Sequence, residues 1–466
     1  MAIIGQAQFD LFPQDLRFDP DYYIGEGAKD REGFKKTGKP FDHWFARIIH
    51  PGEFTRTYEA AGHLFLRAQN VRPGQIKVES PVFVSDAIYN ALPEAVAQED
   101  DLLLVRTGAN LADAARVPKA HSGALVSSHT LRLVPKPRTP IFALSAFFAS
   151  DIGRRVLLSL KTGGTHGQLN GFSLRTLYLP DLSHIEDKCR KLFSEIDRLD
   201  SISVEQYPKA EAELLERIGW KELGEKPCEL YYTEDFKTLT ERERIDAEHY
   251  QPKYDRLAKR LEKFGAIPLE ELLAMPPGKG TQPDEYVEEG EVIVVKSKNV
   301  FGRGIELASC ERTSLRAWAD EFARLKENDV VINSTGRGTL GRAGVIHCNG
   351  QKIVASVDLL ILRAKPELVD PDYLSLFLNS SVGIAQSEQY QTGSSGQLHL
   401  YPAHIQQFLI YVPKNSNGRV DLGWQRKLAD KVRIAARAKV EARAKLEEAK
   451  RLVESSIAGD GRKAKV

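Results

Sequence analysis

Asp329-Val330-Val331-Ile332-Asn333-Ser334-Thr335-Gly336 reads as an apolar strand that runs directly into a polar glycine turn. Asp101-Leu102-Leu103-Leu104, followed by Thr107-Gly108, repeats this pattern at an offset of 228 residues. Working outward, Arg17-Phe18-Asp19-Pro20-Asp21-Tyr22-Tyr23 answers to Arg244-Ile245-Asp246-Ala247-Glu248-His249-Tyr250 at an offset of 227. Phe65-Leu66-Arg67-Ala68-Gln69-Asn70-Val71 answers to Val294-Val295-Lys296-Ser297-Lys298-Asn299-Val300 at 229, and Gln168-Leu169 aligns with Gln397-Leu398 at the same offset. That last pair lies in two Thr-Gly loops, 161–168 and 391–397, each leading to a strand that ends in Tyr-Leu-Pro (178–180) or Tyr-Val-Pro (411–413). Collinear anchors at nearly constant spacing identify a tandem duplication.

Each half has one plan. Apolar runs of strand length at 102–105, 131–134, 292–295, 330–332 and 359–362 are separated by Gly, Asn and Pro turns, and 142–160 and 371–386 have helical character. The expected fold class is mixed α/β: a duplicated globular α/β domain, each copy followed by a long coiled-coil-type helix. The expected divisions are an N-terminal tail 1–16, a first domain 17–182, a first helix region 183–220 and a linker 221–243. A second domain 244–416, a second helix region 417–458 and a C-terminal tail 459–466 follow.

In the second helix Leu428, Ala435, Ala442 and Ala449 recur every seven residues, with Val432, Leu446 and Val453 at the companion positions and Lys439 interrupting. This is the seam of a helix that pairs along its length. Leu428, Val432, Leu446 and Val453 are therefore expected to face a partner, and truncation after Asp421 to abolish docking with both domains still folded. The first helix has a weaker seam, Ile185, Cys189, Leu192, Ile196 and Leu199, and Pro208 is expected to kink or end it. Segment 185–219 carries nine acids against six bases and 425–456 ten bases against five acids, so the two helices could instead pair with each other.

A chain of 466 residues with 42% hydrophobic and 28% charged residues suits two globular cores. Its 65 Lys and Arg against 64 Asp and Glu leave it near neutral, so any basic surface must come from local segregation of charge. Cys189, Cys228, Cys310 and Cys348 lack the close spacing of zinc ligands and read as reduced thiols. The beginning of the chain has no basic stretch leading into an apolar core, and no window of about 18 apolar residues occurs. A cytoplasmic protein without a membrane partner is expected.

Catalytic signatures are missing. Gly278-Lys279-Gly280-Thr281 lacks the spacing of a phosphate-binding loop and reads as a turn. No Asn-Pro-Pro-Tyr or Asp-Pro-Pro-Tyr tetrad of an amino-methyltransferase is present. His121 and the pair His347-Cys348 have no third group at a recognisable spacing. No cofactor and no metal is expected.

What the duplication does supply is polar loops. The first half offers Arg67, Asn70, Arg106, Thr107, Asn110, Lys161, Thr162, Thr165, His166 and Gln168. The second offers Lys296, Lys298, Asn299, Asn333, Ser334, Thr335, Arg337, Arg342, Thr392, Ser394, Ser395, Gln397 and His399. Such side chains hydrogen-bond phosphates and base edges. A single Gly-rich polar turn is more often structural, but matched turns in both halves point to a ligand-facing edge.

With these motifs in order and duplicated (Arg244-Ile245-Asp246-Ala247-Glu248-His249-Tyr250-Gln251-Pro252, Asp329 to Gly336, Thr392-Gly393-Ser394-Ser395-Gly396-Gln397-Leu398, a helix closing each half), the sequence resembles a type I restriction-modification specificity subunit. The resemblance implies two target-recognition domains reading the halves of a split double-stranded DNA site. It also implies helices that set the spacer and dock methyltransferase subunits, two of them, with a restriction or motor subunit where one is present. Arg106-Thr107-Gly108-Ala109-Asn110 departs from the Ser-Thr-Gly-Arg turn of the second half. The competing readings are a paired-domain scaffold that binds only protein and a fragment of a fused methyltransferase. Purified without partners, the chain is expected neither to methylate nor to cut duplex DNA; transfer of labelled methyl groups by the rigorously purified chain would overturn this.

Overall fold

A computed structural model of the chain describes residues 20–463 apart from 79, 164–166, 221–230, 243, 303, 337, 349 and 394–397. These residues form two units. One comprises the residues up to Leu199 together with those from Glu441 onward, and the other is Asp200–Val440.

The central strand of each unit is apolar on both faces, which demands cover on both sides. In the first unit Leu102–Val105 is buried throughout and lies in an antiparallel sheet of order Phe45–Ile49, Thr130–Pro135, Leu102–Val105, Ala114–Arg116. In the second, Val330–Asn333 lies in an antiparallel sheet of order Gly278–Lys279, Leu359–Leu362, Val330–Asn333, Ala343–Val345. The segment expected to turn at Gly278-Lys279 is thus an edge strand, because its backbone pairs with Leu360 and Ile361.

A second sheet repeats as well. His63–Leu66 pairs antiparallel with Phe83–Val84 and parallel with Leu125–Val126, as Val292–Val295 does with Glu311–Thr313 and Lys352–Ala355. Between the two sheets of the first unit lie Leu66, Val71, Ile76, Leu103 and Val105, and between those of the second Ile293, Val295, Val300, Val331 and Ile361.

The helical stretches are each broken by one serine. Ile141–Ala149 stops at Ser150, whose hydroxyl donates to the Phe147 carbonyl at 2.7 Å and accepts from the Gly153 amide at 3.2 Å. Pro371–Asn379 stops at Ser380 with the same two bonds, to Phe377 at 2.6 Å and from Gly383 at 3.4 Å. Each serine caps the following helix, Asp151–Leu158 or Ser381–Tyr390. A side chain at Gly153 or Gly383 would strike the carbonyls of the preceding helix, so the bend requires glycine.

The long helices are Glu186–Arg217 and Leu422–Lys463. Pro208 lies inside the first without ending it. Its missing amide costs a backbone hydrogen bond, and burial of the neighbouring Tyr207 and Ala210 holds the helix in place. The seam does not face outward. In the second unit Leu428, Ala429, Val432 and Ala435 share one core with Tyr207, Ala210, Leu214 and Ile218 of the first helix and with Tyr373 and Phe377. In the first unit Ala442, Leu446, Ala449 and Val453 are buried, as are Ile185, Cys189, Leu192, Ile196 and Leu199. There His184 meets Ser456 at 2.7 Å and Glu195 meets Lys445 at 3.3 Å, so the helices run antiparallel. Glu213 pairs with Lys427 at 3.3 Å and with Lys431 in the second unit. Lys439, the interruption in the seam, places its ammonium 5.0 Å from the centre of the Phe301 ring.

The expected outward role of Leu428, Val432, Leu446 and Val453 is therefore corrected: these side chains are consumed by the chain's own core. Ions also tie the first long helix to the sheet of its unit and the second to the start of helix Pro371–Asn379. Arg116, 3% exposed, pairs with Asp100 at 3.0 Å and with Asp197 of the first helix. Arg433 of the second helix pairs with Asp372 at 2.7 Å and Asp370 at 3.3 Å. Truncation after Asp421 would remove part of the second core, so it is expected to unfold that unit rather than leave it intact. Leu428→Ala should lower stability by about 2–5 kcal/mol, whereas Glu213→Gln, at a part-exposed ion pair, should cost at most about 1 kcal/mol. Urea unfolding midpoints check this, and equal losses from the two variants would contradict a seam held by apolar burial.

Candidate nucleic-acid interface

At the end of each central strand three loops converge through the same backbone bonds. In the first unit the Arg106 amide donates to the His129 carbonyl and the Leu169 amide to the Arg106 carbonyl, both at 2.9 Å. Thr162 and Gln168 exchange amide-to-carbonyl bonds at 2.9 and 2.8 Å. In the second unit Ser334 donates to Asp358 and Leu400 to Ser334, both at 2.9 Å, while Thr392 and His399 exchange bonds at 2.9 and 2.8 Å. Gly108 and Gly336 have φ of 97° and 103°, a conformation that selects glycine at both turns.

These bonds correct the alignment of the repeats. Gln168-Leu169 corresponds to His399-Leu400 rather than to Gln397-Leu398, because the second loop has grown. Likewise Tyr178 lies opposite Pro40 as Leu409 lies opposite Pro268, so Tyr178 does not correspond to Tyr411.

The side chains on the two platforms differ. Arg106 donates to the Gln168 side-chain carbonyl at 2.9 Å. The Thr107 hydroxyl lies 2.8 Å from His129 Nδ1, and Arg56 reaches His129 Nε2 at 2.8 Å. In the second unit the Thr335 hydroxyl donates to Asp358 Oδ1 at 3.0 Å, and Arg342 is exposed at the far end of its turn. The Thr162 and Thr392 hydroxyls donate to the Gln168 and His399 carbonyls at 3.1 and 3.4 Å. The Lys161 side chain lies against Gly167.

Other expected contacts are turned inward or engaged by neighbouring side chains and carbonyls. Asn70 is 5% exposed, accepts from the Arg67 amide at 2.9 Å and donates to the Lys77 carbonyl at 2.8 Å. Asn299 repeats this with Lys296 and Ser309. Asn333 is fully buried and donates to the Ser297 and Thr339 carbonyls, both at 3.1 Å, and the buried Ser334 hydroxyl donates to the Asp358 carbonyl at 2.9 Å. These four hold the loops from within and are withdrawn as contacts. Lys296 and Lys298 both pair with Glu311, Arg67 donates to the Ser80 carbonyl at 3.1 Å, and Asn110 accepts from Arg72 at 2.7 Å. Thr165, His166, Arg337, Ser394, Ser395 and Gln397 lie outside the described residues, as do Cys228 and the Arg17–Asp19 side of the first anchor.

Arg56, His129 and Asp358 escaped the sequence analysis. His129 and Asp358 stand at an offset of 229, shared by Ser127 and Ser356, which was the available signal. The Arg244 motif proves to be a brace: its guanidinium donates to the Gln391 carbonyl at 2.9 Å and pairs with Asp246, and the Tyr250 hydroxyl donates to the Arg244 carbonyl at 2.8 Å. His249 Nδ1, 2.9 Å from the Gln389 carbonyl, completes the base of the 391–399 loop. Burial, with Arg244 nearby, holds His249 and His404 below the usual histidine value of 6.5.

Burial pushes the Cys189 and Cys310 thiols up to about 12 and that of Cys348 to about 11, which disfavours the reactive thiolate. His347 Nδ1 lies 3.0 Å from Glu327. Among the described residues no cluster of His, Cys, Asp and Glu could hold a metal ion, and no helix is long and apolar enough to cross a membrane.

No family model matches the chain, and no curated protein does. Among solved structures it is similar to a type I restriction-modification system S subunit from M. genitalium, at 13% identity over 90% of this chain and 94% of that one, with a TM-score of 0.45. It is also similar to an HsdS subunit from Thermoanaerobacter tengcongensis, at 15% identity over 89% and 95% of the chains and a TM-score of 0.26. The type IIG restriction endonuclease BpuSI is similar over 48% of this chain and 35% of its own, at 13% identity and a TM-score of 0.27. With identities this low, function has to be derived from the chain's own residues.

Arg244→Ala should free the loop base at a cost of about 1–3 kcal/mol, seen as faster amide exchange at Thr392 and His399 with Val330–Asn333 still protected. Because His249 and His404 are depressed in the folded state, the unfolded chain takes up protons first as pH falls below 6.5. The loop base should therefore lose stability as pH falls through 6.5 and below, where the histidines of the unfolded chain protonate and those of the folded chain resist. Unchanged exchange at Thr392 and His399 in the variant would show that Arg244 is no brace.

Proposed function

We propose that the chain is a non-catalytic, sequence-specific DNA-binding subunit of a type I restriction-modification enzyme, reading a bipartite asymmetric site with one platform per unit. The observation that carries this is the platform built twice on the same backbone bonds with different side chains: Arg106, Thr107, His129 and Gln168 in one, Thr335, Asp358, Thr392 and His399 in the other. Repetition of backbone with divergence of side chains is what two readers of unlike half-sites require, just as identical half-site readers build palindromic recognition. Arg56, Lys161 and Arg342 supply cations beside the platforms, suited to phosphate or guanine. Near-neutral total charge is compatible with this, since phosphate contacts need only local basic residues.

The methyltransferase subunits this function requires would dock on the outer faces of the helices, because the seam is filled from within. Ile434 and Val440 on the second helix and Val204 on the first are the large apolar side chains left 47%, 66% and 57% exposed there.

The test is a salt-dependent titration of the full chain against duplex DNA, with Arg106→Ala and Arg342→Ala each expected to weaken one half-site only. A guanine contact should cost about 1–3 kcal/mol at a single position, whereas a phosphate contact should weaken all sequences with a shallower salt dependence. Exchange of residues 17–182 for those of a relative should change one half-site and leave the other. Absence of duplex binding, or a swap that changes both half-sites together, would overturn the proposal.

A further inference from the structure

The two platforms coincide at one threonine and differ in what stands behind it. Thr107 and Thr335 occupy the same bridge position, opposite Gln168 and His399. Both are partly exposed. Behind Thr107 is His129, and a guanidinium can only donate. Arg56, 2.8 Å from Nε2, therefore makes that nitrogen the acceptor and leaves the ring proton on Nδ1, which donates to the Thr107 oxygen at 2.8 Å. Behind Thr335 is a carboxylate, which can only accept, so the Thr335 hydroxyl gives its proton to Asp358 at 3.0 Å.

We propose that His129 and Asp358 give the two readers opposite hydrogen-bond polarity, so that Thr107 presents a donor to DNA and Thr335 an acceptor. This rests on the DNA-reading function proposed above. Among the described residues the Thr107 hydroxyl has His129 as its partner and no acceptor for its own proton, which is left to a ligand. It suits a base edge that accepts: guanine N7 or O6, adenine N7 or thymine O4. Thr335 has only lone pairs left. It suits the N6 amino group of adenine or the N4 amino group of cytosine and is mismatched to a purine N7. One residue type at one backbone position thus reads complementary chemistry in the two half-sites, with the choice made by a side chain that need not touch the DNA. His129 and Asp358 are in this sense positioning residues.

The test begins with selection of preferred sites by the full chain from random duplexes. The selected duplexes are then re-measured with 7-deazapurines, which lack the N7 acceptor, and with purine in place of adenine, which lacks the N6 amino donor. For the wild-type chain, one position of the first half-site should lose affinity on the order of tenfold when its acceptor is removed, and one position of the second when its donor is removed. His129→Asp, whose carboxylate still faces Arg56, should convert the first position to a preference for a donor edge and leave the second half-site unchanged. Thr107→Val and Thr335→Val, close in shape to threonine, should each abolish discrimination at one position of their own half-site.

Selective binding by His129→Asp with the original first-half preference intact would overturn the proposal. So would a uniform loss across all sequences in Thr107→Val and Thr335→Val, which would assign these hydroxyls to phosphate while leaving the two-reader function standing. Selection of no sequence by the wild-type chain would overturn the DNA-reading function and this proposal with it.

Discussion

Everything in each unit hangs on one strand buried on both faces, Leu102–Val105 or Val330–Asn333. Such a strand must be enclosed, and here a second sheet closes one side and helices close the other. Its backbone emerges from cover only at its end, and there the chain turns on a glycine of positive φ and collects two further loops through main-chain bonds. Because those bonds come from amides and carbonyls, the platform persists while its side chains vary. A fold built in this way can keep its scaffold and change what it recognises.

The long helices obey a related constraint. An apolar stripe on a helix must be buried by something, and the near-complementary charges of the two helices allow them to bury each other's. Ala435, Ala442 and Ala449 keep the seam narrow, while Leu428, Leu446 and Val453 fill it. The ion pairs of Glu195 and Glu213 lie at the rim and set pairing more than they hold it. A helix that looks available in sequence is thus an internal part of the cores, and surfaces for partners have to be sought on its opposite face.

The divergence between the halves is concentrated where it has chemical meaning. Buried holders of the loops, Asn70 and Asn299, are conserved between the repeats, because either asparagine must satisfy the same backbone groups. Arg106 and Ser334, His129 and Asp358, and Gln168 and His399 occupy matched positions with unlike donors and acceptors.

The duplication, the strand-turn units and the mixed α/β class were legible in the sequence, because periodicity and repetition are properties of the chain's order, whereas pairing of the two helices was legible only as one of two open outcomes. Its spacing also located the loops that build the platforms. What it could not decide was which polar side chains face outward: Asn333 and Arg106 look equally suited to DNA, but one amide is enclosed by the carbonyls of Ser297 and Thr339. Nor could it settle the register of the last loop, since Gln168 matches Gln397 by identity and His399 by hydrogen bonding. The continuity of the helix through Pro208, the inward turn of the seam and the role of His129 behind Thr107 likewise depend on neighbours distant in sequence. Only the tertiary structure decides such things, because burial and hydrogen-bond partnership are relations between segments that the order of residues does not contain.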